Sequence, residues 1–113
     1  MNQAEVWLID LSPTVGAELR KIRPAVIVND DAIGILPLRV VVPVTGWRNA
    51  FQDAPWMVKL TPNETNNLEK VSAVDCFQIR SVSTGRFIRR TGKVSSANLE
   101  KIKTAVKSVL DAD

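Results

Sequence analysis

The 113-residue chain contains no histidine. That excludes histidine-based zinc sites and the imidazole acid–base pairs on which much enzyme chemistry rests. Any catalysis must be carried by arginine, lysine, threonine, serine or carboxylates. A single cysteine, Cys76, rules out an internal disulfide and suits a reducing compartment. No apolar run approaches the length that spans a bilayer, and the polar N-terminus has no signal-peptide pattern. The expected location is therefore the cytoplasm, without a membrane partner. Repeats, low-complexity tracts and linkers are also missing. The length suits one core rather than two, so residues 1–113 are read as a single domain.

What is present fits an ordinary globular protein: 45% hydrophobic and 24% charged residues. The net charge of +3 and a pI near 9.4 are only mildly basic, and the distribution of charge matters more. Arg80, Arg86, Arg89, Arg90 and Lys93 follow Asp75 with no acid among them. Such a cluster is either an electrostatic footprint for a polyanion or a strand edge whose charges discourage aggregation.

Short β-type runs rich in Val, Ile, Phe and Trp dominate, at residues 5–11, 24–29, 39–45, 56–60, 71–80 and 87–93. Turn residues separate them, among them Ser12-Pro13, Asp30-Asp31, Gly34, Gly46, Asn66-Asn67 and Gly85. Pro43 inside one run demotes that segment to an edge or bulged strand. Only the C-terminus reads as a helix. Ser95 or Ser96 caps it, and Leu99, Ile102, Ala105, Val106, Val109 and Leu110 repeat at helical spacing, opposite Lys101, Lys103 and Lys107. Many short strands and one closing helix imply a small, strongly bent antiparallel sheet, a partly open barrel. Two loops are long for so small a domain: residues 12–22, and residues 46–55 with Trp47, Arg48 and Phe51.

Arg23 stands where the first long loop enters a wholly apolar strand. Its guanidinium cannot give up its charge and must find an acceptor: either a structural partner such as Glu18, Asp10 or Asp31, or an anion from outside. Thr45 closes the apolar run 40–44 at the mouth of the second loop, where its hydroxyl can reach a phosphate oxygen. It can equally be an ordinary strand threonine. Glu18 can act as a base, orient Arg23 or keep its loop soluble. Strand alternation puts Asp75 on one face with Val71, Ala73, Phe77 and Ile79, and puts Gln78 and Arg80 on the other, where they can read a base edge and a phosphate together. A salt bridge is the competing role for Arg80. Asp30-Asp31 reads as a turn and not a magnesium site, because adjacent carboxylates on an extended chain diverge. Trp7, Trp56 and Cys76 are expected in the core. Trp47 and Phe51 either stack bases or cover the barrel end.

The order of these motifs, W-x-x-D-L-x-P-x-x-G-x-E over Trp7 to Glu18, then K-x-R-P-x-V-x-V over Lys21 to Val28, closely resembles the MazF/PemK family of toxin endoribonucleases. The run closing on Thr45 and the segment D-C-F-Q-I-R from Asp75 to Arg80 follow in the family's order. The resemblance extends from about Glu5 to Arg90. It implies an SH3-like barrel with a C-terminal helix, assembled as a homodimer with single-stranded RNA along the interface. It implies Arg23 and Thr45 as the catalytic pair, Glu18 as the family's loop glutamate, and Gln78 as a substrate contact. Arg80, Trp47, Arg48 and Arg86 are added as candidate RNA-binding residues. The implied reaction is sequence-specific cleavage of mRNA, independent of ribosome, metal or other cofactor, leaving a 2′,3′-cyclic phosphate and a 5′-hydroxyl. A cognate antitoxin is the implied protein partner. The alternative on the same barrel is a non-enzymatic toxin that binds DNA gyrase, as CcdB-like proteins do. A family member that binds RNA without cutting it is a third reading.

Overall fold

A computed structural model describes residues 1–18, 21–33 and 36–112, so the expected turn at Gly34 lies outside the described residues. Among the described residues, seven strands form one antiparallel sheet: β1 (Glu5–Asp10), β2 (Ile22–Ile27), β3 (Leu38–Gly46), β4 (Met57–Leu60), β5 (Ser72–Asp75), β6 (Arg80–Ser83) and β7 (Phe87–Lys93). The strand order is β4-β5-β3-β2-β1-β7, with β6 also pairing β3. The sheet is open but strongly bent, the barrel-like architecture expected. Register shifts between β1 and β7, at Val6/Trp7 and Leu8/Ile9, mark the bulges that help to bend it.

Alternation along the strands divides the buried residues between two faces. Val6, Val26, Val42, Val44 and Val74 join Leu60 and Cys76 in the larger core. The helix α1 (Ser96–Val109) closes this core with Leu99, Ile102 and Ala105. Its start is set by Ser95, whose Oγ accepts the Asn98 N–H at 3.1 Å. Leu110 was expected in the apolar stripe, but the helix has ended at Val109 and Leu110 is exposed. A smaller cluster on the other face holds Ile9, Leu11, Ala25, Ile27, Val41 and Val82, with Trp7 and Phe87 packed against it.

Pro43 does not mark an edge. β3 is the central strand, flanked by β2 on one side and by β5 and β6 on the other. Val40 directs both its N–H and its C=O toward the β2 side, so alternation turns the Pro43 nitrogen to the opposite side. There β6 pairs residues up to Val41 and β5 begins at Val44. The missing N–H thus falls in the gap between two neighbours, where nothing is lost.

The expected continuous strand over 71–80 is broken, because Asp75 caps a turn. Its Oδ1 accepts the Phe77 N–H at 3.2 Å, and Cys76–Gln78 forms a single 3-10 turn. The turn lets the chain move from one half of β3 to the other, and it upsets the predicted faces. Phe77 is turned out to 65% exposure, and Gln78 hydrogen-bonds Asp75 instead of opposing it. Trp56, expected in the core, is 38% exposed, its ring centroid 6.0 Å from that of Phe77. Cys76 is buried as expected. Burial, with Asp75 beside it, pushes its thiol up to about 12.

Two further clasps hold the sheet. The buried Asn66 side chain accepts from the Asn63 and Leu68 N–H groups and donates to the Thr61 carbonyl. This turn lies so close to β7 that a Cβ on Gly92 would come 2.5 Å from the Asn66 oxygen. On β1, the carboxylate of Glu5 (7% exposed) accepts the Trp7 indole N–H at 2.8 Å. Asp30 forms a local turn, accepting the Ala32 N–H, while Asp31 accepts the N–H of the distant Gln3.

Candidate active site

Where the β2–β3 ladder ends, a cleft of about 420 Å³ opens between the strands. The last paired residues are Ala25 and Pro43. Val28 donates its N–H to Val40, so alternation points the nitrogens of Val26 and Pro24 toward β3 as well. Pro24 has no N–H to give, and the ladder stops there. Continuing the register by two residues sets Arg23 opposite Thr45, both on the face of the smaller core. The side chains meet as that register requires: Arg23 Nη1 donates to Thr45 Oγ1 at 3.4 Å. This is long for a charge-assisted bond, and the residue is half-buried.

The carboxylates considered as structural partners for Arg23 accept backbone N–H groups: Glu18 from Val15, Asp10 from Ser12, and Asp31 from Gln3. The cleft around Arg23 and Thr45 is otherwise basic. Lys21, Lys70 and Arg89 line it, with Glu69 the one carboxylate among the described lining residues. Lys70 Nζ would stand 3.2 Å from a Cβ placed on Gly46, so the ammonium lies directly against the end of β3. Lys21 and Asn67, also in the lining, hold positive φ of 68° and 53°. Lys70, Glu69 and Arg89 were not among the site residues read from the sequence. Arg89 belonged to the basic cluster, but nothing local ties Glu69 or Lys70 to Thr45; the β5 pairing does.

Glu18, Gln78 and Arg80 meet in a second cleft of about 530 Å³, lined also by Leu11, Pro43 and Phe77. Gln78 Nε2 donates to Asp75 Oδ2 at 3.0 Å, and Arg80 Nη1 to the Leu11 carbonyl at 3.4 Å. Pro43 and Thr45 share a face of β3 two residues apart, about 6.5 Å along the strand, so the two clefts are neighbours. The structure therefore brings Arg23 to Thr45, and Glu18 to Gln78 and Arg80. Arg86 holds the end of β1, donating to the carbonyls of Asp10 and Ser12. Trp47 follows Gly46 out of the first cleft. Its ring packs edge-on to Phe51 at 5.9 Å, with Lys59 Nζ 5.1 Å from its centroid, while Arg48 is exposed.

Residues 2–110 match the family model for PemK-like, MazF-like toxins of type II toxin–antitoxin systems. The chain belongs to this family. Across 98% of its length it is 36% identical to the endoribonuclease MazF9 of Mycobacterium tuberculosis, covering 97% of that protein. The fold matches MazF of Deinococcus radiodurans with a TM-score of 0.80 at 21% identity, covering 98% of this chain and 96% of that one. A mycobacterial endoribonuclease solved in complex with its cognate antitoxin matches with a TM-score of 0.79 at 21% identity, over 100% of this chain and 97% of that one. Arg23, Thr45 and both clefts lie inside the matched span. No helix among the described residues is long and apolar enough to cross a membrane.

Proposed function

We propose that this toxin-family endoribonuclease cuts single-stranded mRNA by attack of the substrate's own 2′-hydroxyl on the adjacent phosphorus, with Arg23 and Thr45 at the scissile phosphate. The observation that carries the reading is the 3.4 Å approach of Arg23 to Thr45 in a basic cleft. The attack places extra negative charge on the phosphoryl oxygens. A planar guanidinium and a hydroxyl, set before substrate arrives, stabilise that charge without reorganising. Arg23 stays protonated and so serves as an electrophile, not as the base. Of the carboxylates, Glu69 lining the same cleft or Glu18 lining the neighbouring one takes the 2′-hydroxyl proton and returns it to the departing 5′-oxygen. Expulsion of the 5′-oxygen leaves a 2′,3′-cyclic phosphate and a 5′-hydroxyl, with no metal or ribosome required.

The RNA-binding surface combines both clefts: Gln78 and Arg80 in one, Lys70 and Arg89 in the other, and Trp47 and Arg48 at the exit of β3. Arg86 supports this surface by holding the end of β1. Sequence specificity arises from the walls of the second cleft and from the 46–55 loop. A homodimer, neutralised by a cognate antitoxin in the cytoplasm, completes the reading.

The test is incubation of the purified protein with a long unstructured RNA in EDTA, followed by analysis of the fragment ends. Discrete cuts bearing 2′,3′-cyclic phosphates are expected from the wild type and none from Arg23→Ala. Intact RNA with the wild type, together with capture of DNA gyrase, would instead favour the CcdB-like alternative.

A further inference from the structure

Phe77 is a large aromatic side chain, 65% exposed, at the wall of the second cleft. Its position is fixed from three sides. Asp75 Oδ1 holds its N–H, the buried Cys76 anchors the turn from within, and the Cys76 N–H donates to the Trp56 carbonyl at 2.9 Å. Trp56 meets Phe77 at an interplanar angle of 72°. An edge-to-face pair occupies at most one face of the ring, so at least one face of Phe77 remains uncovered by Trp56. The turn thus presents a rigid apolar plate beside the Gln78 carboxamide and the Arg80 guanidinium. One aromatic plate for a π-face, flanked by polar groups for a base edge, is the arrangement by which proteins hold an unpaired base.

We propose that Phe77 is the stacking platform for one nucleobase of the RNA, seated in the second cleft and adjacent to the scissile phosphate. This rests on the RNA-cleaving reading above and adds to it a residue that sets affinity and base preference. Continuity favours a base over an apolar peptide segment. Pro43, which lines this cleft, lies two residues from Thr45 on the same face of β3, and Arg80 supplies a cation for the connecting phosphate. A chain running from one cleft to the other presents a phosphate at Arg23 and the next base at Phe77.

The experiment compares wild type, Phe77→Ala, Phe77→Leu and Phe77→Trp on one single-stranded RNA, reading kcat, KM and the bases flanking each cut. Circular dichroism confirms that each variant is folded, and the exposure of Phe77 makes all three substitutions tolerable. Phe77→Ala is expected to raise KM about tenfold or more with kcat little changed, and to relax the base preference at one position beside the cut. Leucine, which keeps apolar bulk without a π-face, should fail likewise, and tryptophan should restore binding. Wild-type KM and preference in Phe77→Ala, or full rescue by leucine, would overturn the stacking role while leaving RNA cleavage intact. The same holds if Phe77→Ala weakens only antitoxin binding. A wild type that neither binds nor cuts RNA would overturn both readings, so the two failures are distinguishable.

Discussion

Arg23 is useful because of where its charge is held. The backbone fixes it on β2, Pro24 ends the ladder beside it, and Thr45 Oγ1 accepts from its guanidinium at 3.4 Å. Lysine cannot substitute for this planar fork, so Arg23→Lys should recover little of the activity lost in Arg23→Ala. The loss in Arg23→Ala should be about a thousandfold in kcat, the order seen when a phosphate-stabilising arginine is removed. Single-turnover cleavage rates measure both. Thr45→Val, which keeps shape and removes the hydroxyl, should cost about a hundredfold without changing thermal stability.

Glu5 shows the same logic used for stability. Burial pushes its carboxyl up. The Trp7 indole, the Asn2 N–H, the Met1 ammonium and Arg90 together outweigh that and hold it below the ordinary glutamate value. Because the folded form binds its proton less readily than the unfolded chain, its contribution is complete above about pH 4.3 and is lost as pH falls through the lowered value. Urea unfolding should show Glu5→Gln losing less stability than wild type on going from neutral pH into that acid range.

At the scale of elements, the turn of the 63–67 segment against β7 is the least tolerant contact. A methyl group on Gly92 would meet two backbone carbonyls, at 2.5 Å from Asn66 and 2.6 Å from Thr65. Backbone yields less easily than a side-chain tip, so Gly92→Ala should destabilise by at least about 1–3 kcal/mol in chemical denaturation. Removing the fully buried Ile102 side chain under α1, as Ile102→Ala, should cost about 2–5 kcal/mol by the same measurement.

The elements themselves were largely legible in the sequence. The helical period from Leu99 through Val109, the Ser95 cap and most strands appear where apolar spacing puts them, with Leu110 falling just beyond the helix. The faces expected over residues 71–80 failed because alternation assumes an unbroken strand. Asp75 breaks it by capping its own turn, and from that point every predicted face is displaced, which exposes Phe77 and sets Gln78 against Asp75. The approach of Arg23 to Thr45 follows from the β2–β3 register, a pairing that spacing along one strand does not encode. For the same reason Glu69 and Lys70 gave no signal, since β5 alone carries them to the end of β3.

At the scale of the whole molecule, a net charge of +3 understates the field an RNA strand meets. Among its described lining residues, the first cleft gathers Lys21, Arg23, Lys70 and Arg89 against the carboxylate of Glu69. Binding should therefore weaken steeply with salt. Lys70→Gln or Arg89→Gln should weaken it evenly across RNA sequences and lower the slope of log K against log salt by about one each. Phe77 should instead alter preference and leave that slope unchanged.

The joint action of Arg23 and Thr45 on one phosphate is tested most directly by a double-mutant cycle on single-turnover RNA cleavage, using Arg23→Ala, Thr45→Val and the double variant. Two groups serving the same developing charge should be strongly non-additive, with the double variant scarcely slower than Arg23→Ala alone. Independent, multiplying losses, or near-normal cleavage by Arg23→Ala, would contradict a shared site at the end of the β2–β3 ladder.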